Sequence, residues 1–430
     1  MTYLRLSAVL GGALMLVALV SCSDPSGVGL GVGENPLEGG DPNVRAVTPD
    51  TIRTETSPRV TGLNAARQNW RFLAGAVTDY GRVEADGYVD VLAPDEIPSA
   101  IATANADSLN AQLRLEPTYV HGDSTAEVTF TLHELSEEAE MSGATADTTF
   151  PVGAEIATYT RVASDSLITL PLPDTWVQDN AEMLRDTSAF GDDMSDFHGF
   201  RLSAPNASAV VGFRHSNASL RVTVSNDDAE AIFLAQKSFS NIRRTMPPSL
   251  PDDRVLLQDG IGDQIVIEWN RAQLDSLRGT PLNRASILIP VDRDSASLGE
   301  SFVRPSPDYR VLATREDGAP DCRQLGAFAL TESGEECGLP LAIGAPGSSV
   351  RVDERTAFTI FERLLVQDAS DTPPPSLSEY RAQVVDRPGS ATNPSGTIQL
   401  GLPSTVPVLV PTAGADTSDA PRIELTVTPL

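Results

Sequence analysis

The side chains best suited to acid–base chemistry in this chain are its four histidines, His121, His133, His198 and His215, which stand far apart in the sequence. No two of them have the i, i+4 spacing that places two zinc ligands on one face of a metalloprotease helix. No G-x-S-x-G motif presents a serine nucleophile. Because no partner geometry is indicated, we expect each histidine to be solvated, and we predict no catalytic residues, no cofactor and no enzymatic activity.

Acidic turns are a second candidate for chemistry, because calcium takes six to eight oxygen ligands from such segments. Three turns rich in aspartate and asparagine stand at 191–196, 226–228 and 259–263. None has the spacing of an EF-hand loop, and a chain with 59 acidic residues contains such clusters without any ligand. We therefore predict solvated loops and no metal site, with calcium binding as the alternative.

The tryptophans Trp70, Trp176 and Trp269 are the candidates for stacking on a sugar ring. Aromatic residues make up only 5% of the chain, so each tryptophan is expected to pack in the core or at a sheet edge. An open cleft lined by tryptophan and acidic side chains would instead indicate a ligand site.

The start of the chain has the pattern of a secretory signal. Arg5 precedes an apolar run at 9–20, which is too short for a permanent transmembrane helix. The segment Leu19-Val20-Ser21-Cys22 resembles the lipobox of bacterial lipoproteins. This resemblance implies that residues 1–21 are removed and that Cys22 is acylated and becomes the first mature residue. The alternative is a plain signal peptide or an uncleaved anchor, with an incidental cysteine.

Residues 22–60 are predicted to be a flexible lipidated tether, because glycines follow the anchor cysteine closely. The acyl chains on Cys22 would bind the membrane, and more than one chain is needed for stable anchoring. We therefore predict an outer-membrane lipid-anchored protein of the cell envelope that faces either the periplasm or the outside.

Two further cysteines, Cys322 and Cys337, would share this compartment outside the cytoplasm, where disulfides persist. We favour a disulfide between them, which would stabilise the fold by about 3 kcal/mol in the chain-entropy view. A two-cysteine metal site is the alternative, but no histidine lies near them in sequence and zinc usually takes four ligands.

The formal net charge of −28 argues against a nucleic-acid partner, because binding phosphates requires basic patches. It also argues against docking on anionic lipid through side chains. Of the 31 basic residues only Lys237 is a lysine. Acid excess with scarce lysine resembles proteins of salt-adapted bacteria, although a GC-rich genome would also favour arginine codons.

The elements that position these side chains are mostly strands. Alternation of apolar and polar residues indicates strands at 109–115, 128–133, 167–170, 210–213, 220–224, 265–269, 285–289, 357–361 and 422–427. Short helices are expected at 174–186 and at 271–278, the second with Asn270 as N-cap. A proline-rich break at 245–251 separates two halves. We predict an all-β protein with two tandem, jelly-roll-like β-sandwich domains at 61–245 and 246–430.

A short internal similarity supports the tandem prediction. Residues 107–115 and 281–290 share a Leu-Asn motif, which is followed in both by alternating apolar residues. In each half an earlier apolar run, at 71–75 or 264–267, precedes that motif. Coincidence between two short strands is the alternative.

Several short motifs lie along most of the mature chain. They are Asp24-Pro25-Ser26-Gly27-Val28-Gly29-Leu30 behind the anchor, the strand end at 73–81, paired strands at 106–115 and 129–135, and later segments at 256–262 and 274–292. Together they resemble the DUF4270 family, a domain of unknown function typical of Bacteroidota lipoproteins. The chain departs from that family in its scarcity of lysine and tyrosine. The resemblance implies an envelope lipoprotein and brings no catalytic residues.

These features predict a membrane-anchored envelope lipoprotein that acts as a non-catalytic binding module for glycan or another envelope component. The alternative is a structural or assembly subunit of a cell-envelope complex. An exposed apolar patch above a few hundred Å² would favour the subunit, because soluble monomers rarely expose one.

Overall fold

The structure is a computed structural model. It describes residues 43–56, 71–141, 144, 147–187, 197–245, 250, 252–258, 261, 263–277, 280–289, 300–305, 308–313, 339–340, 350–351, 379–385, 405, 407–412 and 421–428. The predicted signal peptide, the strand expected at 357–361, and Cys22, Cys322, Cys337 and Trp70 lie outside these residues. The prediction of an all-β fold is confirmed, because strands far outnumber helices.

The strands, in chain order, are β1 Asn43–Val47, β2 Pro49–Thr56, β3 Arg71–Thr78, β4 Arg82–Leu92, β5 Leu109–Leu115, β6 Pro117–Asp123, β7 Glu127–Leu135, β8 Val152–Val162, β9 Ile168–Pro171, β10 Phe200–Ser203, β11 Ala209–Arg214, β12 Ser219–Val224, β13 Glu230–Thr245, β14 Arg254–Gln258, β15 Asp263–Trp269, β16 Leu282–Ile289, β17 Phe302–Val303, β18 Asp308–Ala313, β19 Leu339–Pro340, β20 Val350–Arg351, β21 Glu379–Val385, β22 Pro407–Pro411 and β23 Arg422–Val427. The α-helices are α1 Ser99–Ala102, α2 Asp174–Asp179, α3 Ala181–Arg185 and α4 Arg271–Asp275. None of the helices in the described ranges is long and apolar enough to cross a membrane.

Both predicted helical segments are confirmed. The first is split into α2 and α3 at Asn180. The second is α4, where the Asn270 side chain accepts a hydrogen bond from the Gln273 backbone N–H at 2.8 Å. This contact satisfies one of the free N–H groups at the start of the helix, as an N-cap does.

One large antiparallel sheet is built mainly from the first half of the chain. Its strands run in the order β17-β6-β11-β3-β4-β13-β12-β5-β9. Strand β4 is the branch point, because residues 82–85 pair with β3 while residues 86–89 pair with β10. β10 continues to β7 and then β8. The sheet therefore divides into two layers at β4.

A continuous apolar core lies between these layers. The alternation that predicted β5 is observed, because Leu109, Ala111, Leu113 and Leu115 are buried while the residues between them are not. Phe72 and Phe130 both contact the ring of Phe213, with ring centroids 5.3 Å and 5.9 Å apart. Burial of such side chains is the main stabilising contribution to a β-sandwich-like fold.

Three smaller sheets are built mainly from the second half of the chain. Their orders are β1-β23-β16-β20, β19-β18-β21-β15-β2 and β14-β22. Strand β1 pairs with β23 near the end of the chain, and β2 pairs with β15. The N-terminal strands are therefore part of the sheets formed by the second half.

This pairing corrects the predicted tether at 22–60, because residues 43–56 form β1 and β2. The predicted division at 245/246 is also crossed, since β17 from the second half pairs with β6 of the large sheet. The tandem arrangement is not confirmed. A reading along the chain misses this arrangement because pairing between distant strands leaves no local sequence signal.

The proposed internal repeat is not supported by the sheets. The two similar segments, 107–115 and 281–290, contain strands β5 and β16. The apolar runs that precede them, 71–75 and 264–267, lie in strands β3 and β15. However, β3 and β5 belong to one sheet, whereas β15 and β16 belong to two different sheets.

Candidate functional site

A groove of about 440 Å³ lies between the end of β7, the start of β8 and helix α2, and we call it the β8–α2 groove. Its size is in the range of small-molecule sites in proteins. Its polar lining comprises Glu134, Ser136, Glu155, Thr175, Asp179 and His198. The other described lining residues are Leu135, Gly153, Ala154, Ile156 and Trp176.

Helix α2 is fixed against the core by its buried face. Pro173 precedes the helix, and its carbonyl accepts a hydrogen bond from the Val177 N–H at 3.0 Å. Trp176 and Val177 are buried, and the Trp176 ring packs on Phe200 at a centroid distance of 5.8 Å. Because the apolar face holds the helix, the polar side chains of Thr175 and Asp179 can line the groove.

Trp176 lines the groove with little of its ring surface. Its relative exposure is 9%, and its Nε1–H donates to the Glu134 Oε2 at 2.9 Å. This bond satisfies the buried indole N–H and holds the Glu134 carboxylate at the groove wall. Stacking of a sugar on this indole is therefore not favoured, and the polar groups of the lining are the candidate ligand contacts of the groove.

The third side of the groove is the loop that leads into β10. Gly199 has a φ of +101°, and a Cβ atom added there would stand 2.7 Å from the Val89 carbonyl oxygen. Its own carbonyl accepts a hydrogen bond from the Leu135 N–H at 2.9 Å. Only glycine fits this conformation and this close approach without strain, so Gly199 fixes the position of its neighbour His198.

The groove has a negative electrostatic character. Glu134, Glu155 and Asp179 line it, and His198 is the single basic side chain among the described lining residues. Beside it, burial raises the pKa of Asp90 to about 6, against the opposing influence of Lys237 and His198. Lys237 is the register partner of Asp90 across β4 and β13. Carboxylates of this kind accept hydrogen bonds from ligand hydroxyl or ammonium groups.

Two of the four histidines contradict the prediction of solvation. His121 on β6 is fully buried, and His215 is nearly so and contacts the Ser238 hydroxyl at 3.0 Å. Burial lowers the pKa of both imidazoles. His133 and His198 are partly exposed, nearer to the expectation.

His121 belongs to a buried polar cluster that the sequence did not indicate. Its Nε2 lies 2.9 Å from the Asp79 Oδ2, and its Nδ1 lies 2.9 Å from the Thr405 Oγ1. This Asp–His–Thr line has the connectivity of a catalytic triad. Both His121 and Thr405 have zero exposure, so the Thr405 hydroxyl is enclosed and cannot meet a substrate in this conformation.

The acidic turns and the tryptophans have mixed outcomes. Residues 226–228 form an exposed turn between β12 and β13, as a solvated loop does. Asp263 is instead buried and paired with Arg244. Trp269 and Trp176 are buried, which confirms the expectation of packing. The turn at 191–196 lies outside the described residues, and the described part of the chain contains no group of three side chains able to hold a metal ion.

Comparison with known proteins gives no relative. No family model matches the chain, and neither the curated proteins nor the solved structures contain a match.

Sequence reasoning did not find the groove because its residues come from four separate segments. Trp176 was singled out as a sugar-stacking candidate, but nothing local linked it to Glu134 or His198. The one available signal was the run from 174 to 179, where polar residues flank two apolar ones at the start of a predicted helix.

Proposed function

We propose that this chain is a membrane-anchored lipoprotein of the bacterial cell envelope that acts as a non-catalytic binding module. The observation that supports it best is the β8–α2 groove, an open cleft walled by a tryptophan edge and carboxylates. The ligand is a polyhydroxylated envelope component, such as a glycan.

The polar lining supports this ligand class. The carboxylates of Glu155 and Asp179 would accept hydrogen bonds from adjacent hydroxyl groups of the ligand, and a charged acceptor strengthens each such bond. Ser136 and Thr175 offer hydroxyls that both donate and accept. The negative lining disfavours anionic ligands, so neutral sugars and amino sugars are the expected ligands.

A glycan array with neutral, amino and acidic oligosaccharides tests this proposal, followed by calorimetry on the strongest hit. The double variant Glu155→Gln/Asp179→Asn should weaken binding at least tenfold, because each removed charge–hydroxyl bond contributes about 1.5 kcal/mol or more. The matched control is Glu127→Gln, which removes an exposed carboxylate from the other end of β7. Binding that is equal in both variants, or an array without hits, would argue against the groove as a glycan site.

The lipid anchor is proposed on the signal pattern and on the resemblance to lipoproteins of the DUF4270 family. Cys22→Ala should move the protein from the membrane fraction to the soluble fraction, because the acyl chains are then lost. The control is Ser23→Ala, which changes the adjacent residue and leaves the anchor cysteine. If the Cys22→Ala protein remained with the outer membrane, the anchor proposal would be wrong.

The assembly-subunit alternative is supported by one observation. Leu92 and Leu234 are register partners across β4 and β13, and they are 41% and 56% exposed. Two leucines fall short of the patch size that marks a stable interface, which leaves the binding module as the better-supported function. Protease treatment of intact cells separates the two: loss of the protein would place it outside, whereas protection would place it in the periplasm and favour the subunit.

A further inference from the structure

The buried cluster on β6 joins the two halves of the chain, and we call its five residues the clasp: Asp79, Tyr119, His121, Arg304 and Thr405. Arg304 follows β17, and its Nε donates to the Asp79 Oδ2 at 2.8 Å while its Nη2 donates to the Oδ1. Thr405 lies before β22 and contacts both Tyr119 and His121. Asp79, Tyr119 and His121 belong to the first half, whereas Arg304 and Thr405 belong to the second.

One set of hydrogen-bond directions with a neutral imidazole satisfies all of these contacts. The Thr405 N–H donates to the Tyr119 hydroxyl oxygen at 3.0 Å, and the Tyr119 hydroxyl donates to the Thr405 Oγ1 at 3.1 Å. The Thr405 hydroxyl then donates to Nδ1 of His121, whose Nε2–H donates to Asp79. This pattern requires a neutral imidazole, because Nδ1 must accept a hydrogen bond.

Protonation of His121 would disrupt this pattern in two ways. A proton on Nδ1 would have to point at the Thr405 Oγ1, so the Thr405 hydroxyl would lose its contact with Nδ1 and reverse its contact with the Tyr119 hydroxyl. It would also add a second buried cation to a site where Arg304 already neutralises Asp79. An uncompensated buried charge is costly, so the ring either stays neutral or leaves its site.

Among the described residues that contact or flank the ring, none besides Asp79 offers it a buried carboxylate. From β17 the ring meets Phe302 edge-on at 5.9 Å, and from β11 its register partner is Val210. Further charged groups near the clasp in the described part of the chain are Arg71, whose guanidinium lies 4.7 Å from the Tyr119 ring centre, and Asp123 at the exposed end of β6. Arg304 stacks over Tyr80 at 5.3 Å. The two arginines are cationic, and Phe302, Val210 and Tyr80 are uncharged at neutral pH. Asp123 is too exposed to compensate a buried imidazolium.

We propose that the clasp is an acid-sensitive lock, which holds β17 and the Thr405 segment on the large sheet at neutral pH and releases them when His121 is protonated.

The pH window follows from the direction of the shifts. Burial lowers the pKa of His121 below its ordinary value of 6.5, so the released state binds the proton more tightly. The locked state is therefore fully favoured above pH 6.5 and loses stability as the pH falls below it. Burial alone would raise the pKa of Asp79, but the hydrogen bonds of its carboxylate with His121 and Arg304 lower that pKa below 3.8. The stability that the Asp79 carboxylate contributes to the locked state is therefore lost only at still lower pH.

Hydrogen exchange followed by mass spectrometry on the full chain tests the lock at pH 7.5 and 5.5, with labelling times scaled for the intrinsic exchange rate. One pH unit below 6.5 permits a loss of protection of up to about tenfold, because each unit changes the locked-to-released ratio by that factor. The loss is expected in peptides covering 300–305 and 405–412 and not in the core strand β5. His121→Gln, which cannot titrate, should remove the pH effect, while the control His133→Gln should keep it.

Unchanged protection in the wild type between the two pH values would overturn the proposal, as would a tenfold loss that persists in His121→Gln. If these two peptides of His121→Gln already exchange without protection at pH 7.5, a second measurement decides the question. It is an NMR pH titration of the ring signals of the four histidines in the wild-type protein. A His121 midpoint below 6.5 that coincides with the loss of protection supports the lock, and a midpoint at or above 6.5 overturns it.

Discussion

The ion pair between Arg244 and Asp263 offers a direct test of how the two halves depend on each other. Arg244 is the penultimate residue of β13 in the large sheet, and Asp263 is the first residue of β15 in one of the smaller sheets. Their side chains are 10% and 0% exposed, and Arg244 Nη2 lies 3.4 Å from the Asp263 Oδ1 while Nη1 donates to the Oδ2. The Gln258 N–H also donates to this carboxylate at 3.2 Å.

Arg244→Met removes the cation and keeps most of the apolar stem of the side chain. Asp263 then remains as a buried carboxylate without its guanidinium partner. Breaking a buried pair in this way destabilises a protein by about 3–5 kcal/mol. The matched control is Arg221→Met, whose partner Glu230 is at 2.9 Å in a cross-strand pair that is much more exposed. A pair of that kind contributes about 0–1 kcal/mol.

Urea denaturation at pH 7.5 measures both changes as shifts in the midpoint at constant slope. The double variant Arg244→Met/Asp263→Leu should recover part of the loss, because it removes the charge left without its partner. A loss below 1 kcal/mol in Arg244→Met, or one no larger than in Arg221→Met, would refute the reasoning that this pair is a buried link between the halves.

Two further predictions concern the vicinity of the groove. Burial raises the pKa of Asp90 from 3.8 to about 6, so the protonated carboxyl stabilises the fold below pH 4 and this contribution is lost as the pH rises through 6. Between pH 4 and 7.5, Asp90→Asn should therefore lose less unfolding free energy than the wild type, by about 1–2 kcal/mol after allowance for partial exposure. Urea titrations of both proteins at the two pH values measure this, and an equal loss of stability in both proteins would contradict it. Gly199→Ala should destabilise the protein by about 1–3 kcal/mol because of its positive φ and its approach to Val89. Gly153→Ala, where the nearest atom to an added Cβ is 3.6 Å away, should change the melting temperature little, and equal effects in the two variants would count against the argument.

The local part of the fold was predictable from the sequence. Strands β5, β7, β12 and β23 show apolar alternation that their pairing and burial confirm. Alternation reports on one strand at a time, because it depends only on which face meets the core. The β8 strand was not predicted, since it lies at an edge of the described sheet and most of its residues are exposed, which removes the alternation.

The non-local part of the fold was not predictable in this way. Because the predicted tether begins with many glycines, flexibility was expected as far as residue 60. Residues 43–47 and 49–56 instead form β1 and β2, and Val47 and Ile52 are buried. The clasp was missed for the same reason, because Asp79, His121 and Thr405 are separated by 42 and 284 residues. A buried histidine and a solvated one look alike in sequence, and only the partner supplied by another segment distinguishes them.

The N-terminal strands change how the second half must be understood. Without β1, strand β23 would have one free edge, and without β2, strand β15 would lack one of its two neighbours. Residues 246–430 therefore do not contain every strand of their own sheets, and a boundary at 245/246 would expose unpaired edges that favour aggregation. Residues 22–42 of the predicted tether lie outside the described part of the chain. If Cys22 is the lipid anchor, the strand nearest to the membrane along the chain is one that pairs with the C-terminal strand β23.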